Sequence, residues 1–171
     1  MYMKLLLVFV LLFVSLFIKP VVFAEEAVVL RTGISLDEMV PDALFGTWRV
    51  KSNLLETNSK GTFKLNNVDL WNISRGNSVI TLDNPFSGAK ASISIKEVEG
   101  NKVVFEKEGR YDNKILSDKV ELYLDEDKFK GINYLKLTTV SEIDGRIMET
   151  QTAQYSLNGD KVSGYNVLIE E

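Results

Sequence analysis

"SDKVELYLDEDKFKG", residues 117–131, carries the pattern that decides the fold. Val120, Leu122 and Leu124 alternate with Lys119, Glu121, Tyr123 and Asp125. Successive side chains of a β-strand point to opposite faces, so this alternation sets an apolar face against a polar one, as in a half-buried sheet. Glu126-Asp127 then supplies a short polar turn before another apolar run begins at Lys128.

The same pattern recurs on both sides of this stretch. Ala91, Ile93 and Ile95 oppose Lys90, Ser92, Ser94 and Lys96. After Phe45 the chain predicts nine strands, at 46–56, 68–74, 78–83, 90–98, 102–109, 117–125, 128–140, 146–157 and 161–169, with no helical period long enough to compete. Turn residues divide them, among them Arg75-Gly76-Asn77, Asn84-Pro85-Phe86-Ser87-Gly88, Glu99-Gly100-Asn101, Asp112-Asn113, Asp144-Gly145 and Asn158-Gly159-Asp160. Pro41 and Pro85 both fall outside the runs, as ladder hydrogen bonding requires. Connections this short join antiparallel neighbours into a meander. An open meander exposes two unpaired edges, and closing it into a barrel of about eight or nine strands removes them. A β-sandwich would give the same alternation and is the alternative; the short sequential connections lean toward the barrel.

An internal echo supports the hairpins. Asp127-Lys128-Phe129-Lys130-Gly131-Ile132-Asn133 matches Asp160-Lys161-Val162-Ser163-Gly164-Tyr165-Asn166 at a spacing of 33 residues. We read it as a repeated way of leaving a turn and bending a strand at glycine, rather than as a repeated binding element.

The N-terminus has a different character. Lys4 precedes an apolar run from Leu5 to Val14 that continues past Ser15 to Ile18, and Val22 and Ala24 stand at the −3 and −1 positions of a cut before Glu25. That is the form of a secretory signal, and the run is shorter than the ~20 residues of a spanning helix. The expected organisation is therefore a signal peptide at 1–24, an arm with a short helical turn at 25–44, and a β-domain at 45–171. Within the arm, Ser35-Leu36-Asp37-Glu38 has the form of a capping box.

Cleavage would remove two lysines and no acid, leaving 18 basic residues against 24 acidic ones, a net charge of −6. Such a surface repels phosphate backbones, and nucleic acid is not expected as a partner. The chain has no cysteine, so neither disulfides nor a lipidated cysteine tether follows export, and the mature chain is expected to be secreted or periplasmic without a stable membrane anchor. Histidine is absent too, which removes the usual general base and the commonest transition-metal ligand. No G-x-S-x-G motif is present. The carboxylates at Glu97/Glu99, Glu106/Glu108 and Asp125-Glu126-Asp127 read as solvated strand faces and turns. No catalytic residue, metal ligand or cofactor site is expected, and the chain is not expected to be an enzyme.

At the start of the first strand lies "LFGTWRV", residues 44–50, with Gly46 two places before Trp48. A G-x-W on the first strand, preceded by a helical turn and followed by a long first connection and then tight hairpins, resembles the lipocalins and the wider calycin group, which includes the avidins. The resemblance implies an antiparallel barrel whose closed end is sealed by Trp48, with the loop at 57–67 overhanging its open end. Two family features depart from it: no threonine-aspartate-tyrosine signature is present, and the last arginine, Arg146, precedes the final two predicted strands. Lys161 either takes the place of the arginine that stacks on the tryptophan in that family, or the contact is missing.

Two classes of function follow as expectations. One is an exported carrier of a small apolar ligand that enters beneath the first loop, contacts Phe63 and Leu65, and lies close to Trp71 on the next strand. The other is a structural or protein-binding domain of the cell envelope whose interior is filled by side chains. The aromatic residues, Trp71, Phe105, Phe129, Tyr134 and Tyr155, fit either. Oligomeric state is not legible in the pattern.

Overall fold

The computed structural model describes residues 35–77 and 79–164. The expected signal segment at 1–24, the arm up to residue 34 and the end of the predicted strand at 161–169 lie outside the described residues.

Ser35 is extended and its Oγ accepts the Glu38 amide at 3.3 Å, which starts a single turn of helix, α1 (Leu36–Met39). Pro41 then precedes a 3₁₀ turn at Asp42–Leu44. Eight strands follow: β1 (Gly46–Thr57), β2 (Asn66–Gly76), β3 (Val79–Asn84), β4 (Ala89–Glu99), β5 (Lys102–Tyr111), β6 (Lys114–Asp125), β7 (Lys128–Val140) and β8 (Ile147–Ser163). They pair in sequence order, each antiparallel to the next, and β8 returns to β1, so a single sheet closes into a barrel. The sandwich alternative is thereby excluded.

The ninth predicted strand is absorbed. Asn158-Gly159-Asp160, read as a turn, runs straight through the middle of β8, pairing with β1 on one side and β7 on the other. Gly159 stands opposite Phe129, and a Cβ there would lie 2.2 Å from the Phe129 ring. The glycine gives room for an aromatic side chain from the neighbouring strand; it does not turn the chain. The two copies of the internal echo therefore differ in structure. The first leaves the turn at Glu126-Asp127, while the second continues a strand.

The barrel has a packed end and an open end. At the packed end Val40, Leu44 and Phe45 plug the interior, with Trp48, Val50, Ile73, Ile80, Val103, Phe105, Val120, Leu122, Phe129 and Leu157 around them. Trp48 is fully buried, its Nε1 donating to the Leu44 carbonyl at 2.8 Å and its ring 5.0 Å from that of Phe129. Of the two alternatives for Lys161, the contact is made: its Nζ lies 5.1 Å from the centre of the Trp48 ring and donates to the Ala43 carbonyl at 2.9 Å. Gly46 explains itself here. Its φ is +124°, and a Cβ would stand 2.7 Å from the Ser163 carbonyl oxygen and 3.2 Å from Lys161 Cε, so a side chain two places before the tryptophan would disturb the strand and the lysine that cover it.

Candidate functional site

Alternation carries inward-pointing residues up each strand from the packed end, and toward the open end they change from apolar to polar. On β2 the series ends in Trp71, Asp69 and Asn67; on β3 in Leu82 and Asn84; on β5 in Lys107 and Gly109; on β6 in Asp118 and Leu116. Together with Ala89, Ala91 and Tyr111, all of these except Asn67 line a cavity of about 510 Å³ at the barrel mouth. That volume lies within the usual range for small-molecule sites. Trp71 forms part of its floor, with its ring stacked at 6.1 Å on Phe129.

Two polar clusters stand in the cavity. In the first, Lys107 pairs with Asp118, which is only 3 % exposed and also accepts from Asn133 Nδ2 at 3.4 Å. Asn133 Oδ1 is a buried acceptor without a donor. In the second, Asp69 is held by two side-chain amides: Asn84 Nδ2 donates to one oxygen at 3.0 Å and Asn67 Nδ2 donates to the other. Asp118 thus has a cation against it, whereas Asp69 makes no ion pair among the described residues.

The opposite side of the mouth, over β1 and β8, is covered by the loop between β1 and β2. Tyr155 donates its hydroxyl to the Lys64 carbonyl at 2.9 Å, Thr57 Oγ1 donates to the Thr152 carbonyl at 2.8 Å, and the Thr152 amide donates to Asn58 Oδ1 at 2.7 Å. Phe63 is half-buried and packs against the core. Leu65, in contrast, is 72 % exposed and does not line the mouth cavity. Of the three residues the sequence suggested for ligand contact, Trp71 lines the cavity, Phe63 anchors the loop over the other side, and Leu65 faces solvent. Burial pushes the Tyr155 phenol above its ordinary pKa.

The wall of the barrel is itself incomplete beside the cavity. The β4–β5 ladder runs from Glu99↔Lys102 to Ser94↔Glu106 and stops. Residues 89–93 are paired only with β3, and 107–111 only with β6. The result is a slit between the two strands, opening on an outer groove of about 630 Å³ lined by Ser92, Ser94, Lys96, Glu106, Lys107, Glu108 and their neighbours on β6 and β7. Ser92, Lys107, Glu108 and Asp118 border both the groove and the mouth cavity, so the two meet at the slit.

The rim is apolar at its tips. Leu65 on the first loop, Phe86 between β3 and β4, Tyr111 at the end of β5 and Ile143 between β7 and β8 are all exposed, Ile143 almost completely. No group of three acidic, histidine or cysteine side chains gathers to hold a metal ion among the described residues, and none of their helices is long and apolar enough to cross a membrane.

Sequence reasoning missed Asp69, Asn84, Lys107 and Asp118. Their only signal was a polar residue at the inward position of an otherwise apolar alternation, as at Asp118, which keeps step with Val120, Leu122 and Leu124. Comparison of the chain with protein-family models, with curated proteins and with solved structures gives no match.

Proposed function

We propose that the chain is an exported, non-enzymatic binding protein of lipocalin-like build that holds a small, mainly apolar ligand in the barrel mouth. The observation that carries this reading is the asymmetric filling of the interior. The packed end and the side under the first loop are occupied by side chains, while the side bounded by β2 to β6 is a cavity reaching solvent with Trp71, Leu82, Ala91 and Leu116 on its walls. Rigid sheets bearing a concave, partly apolar pocket with a few fixed polar groups are the usual setting for small-molecule binding. Export rests on the signal-like segment at 1–24.

Fluorescence tests the binding. Trp71 borders the cavity and Trp48 is sealed below it, so a ligand entering the mouth changes the emission of one tryptophan and leaves the other constant. A panel of fatty acids, sterols, pigments and haem should contain a compound that gives a saturable change, absent in Trp71→Phe, and intact mass of the exported chain should begin at Glu25. No saturable change across the panel would favour the second reading, a structural or protein-binding domain of the envelope. The apolar tips around the rim favour that reading, since exposed apolar side chains concentrated at one end of a molecule mark contact surfaces.

A further inference from the structure

We infer that the ligand of the mouth cavity is a cation with an apolar tail, its ammonium group seated at Asp69 beside Trp71; this rests on the binding reading above.

Charge in the cavity points that way. The inward-facing ionic groups are Lys107, Asp118 and Asp69. Lys107 and Asp118 neutralise each other, and Lys90 on the border has Asp83 at 3.8 Å. Asp69 is left with amide partners alone, which orient the carboxylate without cancelling its charge. A carboxylate offers about four lone-pair sites, so two amide donors leave room for a third. Glu108 at the slit adds a second negative group, its carboxylate accepting from Ser117 Oγ at 3.4 Å. The unfilled hydrogen-bonding capacity beside the cavity also belongs to an acceptor, Asn133 Oδ1.

An anionic ligand meets the opposite conditions. Its one inward-facing cation is Lys107, and drawing that lysine away would leave Asp118, 3 % exposed, as a buried charge with only Asn133 beside it, a costly arrangement. A cation requires no such rearrangement. It finds a fixed carboxylate with Trp71 two places away on β2, while Tyr111 lines the cavity from β5, and aromatic faces attract ammonium groups. Leu82, Ala89, Ala91 and Leu116 are positioned to take the tail.

The test compares three amphiphiles of one chain length below their micelle concentrations: octylammonium, octanol and octanoate, titrated by calorimetry and by Trp71 emission. We expect the cation to bind about tenfold more tightly than octanol, and octanoate the most weakly. Asp69→Asn, nearly the same in shape, should remove the preference for the cation over octanol. Tyr111→Leu, at an exposed position, should weaken the cation more than octanol, and it keeps the test decisive if Asp69→Asn fails to fold. Octanoate or octanol binding as tightly as the cation to the unaltered protein would overturn the inference and leave the binding reading standing. So would a cation preference that survives both substitutions. Saturable binding of none of the three, with the wider panel also silent, would overturn both.

Discussion

Tyr155 couples the wall of the barrel to its longest loop through one proton. Its buried hydroxyl donates to the Lys64 carbonyl, and burial raises its pKa, so the folded state holds the phenol proton more tightly than the unfolded chain does. An acid raised in this way contributes stability that is complete below the unfolded value of about 10 and is lost as pH rises through the higher folded value. Tyr123, exposed and raised by its hydrogen bond to Glu121, and Lys102, half-buried and raised by its hydrogen bond to Glu97, act in the same direction. Comparison with Tyr155→Phe isolates the buried group. We expect the variant to be less stable at pH 7 by about 1 kcal/mol, the usual worth of one hydrogen bond, and the difference to narrow above pH ~10. Urea midpoints at neutral and alkaline pH measure it; a gap that stays constant would mean that this phenol titrates normally. At this scale the sequence singled out Trp48 through the glycine two places before it, and the structure gives that spacing a steric cause. Asp69 was invisible. Its meaning comes from Asn67 and Asn84, and from a direction of projection that a polar residue near a strand end does not reveal.

Among the elements, β8 carries the lesson about glycine. Composition at 158–160 favours a turn, since asparagine, glycine and aspartate are the commonest turn residues. Cross-strand packing overrides that preference, because Phe129 occupies the space that a side chain at 159 would need. Gly159→Ala should therefore cost about 1–3 kcal/mol by overpacking, and it should also shift the near-ultraviolet signal of Trp48 and Trp71, both in ring contact with Phe129. In a Phe129→Leu background the same change should cost much less, and the double-mutant cycle reads the difference as coupling. Additive effects would place the glycine's role elsewhere. The remaining strands and turns were legible because their alternation and turn residues agree with each other. The slit was not, since residues 89–93 and 107–111 have ordinary strand patterns and only the separation of the two backbones distinguishes them.

For the whole molecule, closure of the meander followed from the need to remove edges, and the structure meets that need over only part of its height. Near the packed end the sheet is a complete ring; near the mouth it is a cut ring, with β4 and β5 each showing a short free edge to the other. In an antiparallel ladder alternate residues direct their amides to each side, so about half of the amides in 89–93 and 107–111 have no strand to bond. These should exchange with deuterium far faster than amides in β6, β7 and the 153–160 part of β8, which are paired on both sides, and joining the two edges by a disulfide at Ala91 and Gly109 should slow them. Slow exchange in the unaltered protein would contradict the gap. The cut also makes the girth of the mouth adjustable. A complete ring keeps its circumference unless a ladder breaks, whereas here β4 and β5 can part or approach with no interstrand bond to rupture. The protein is therefore stiff where its core is packed and can widen where its interior is empty, so that under the proposed binding role guests of different size would cost the fold little.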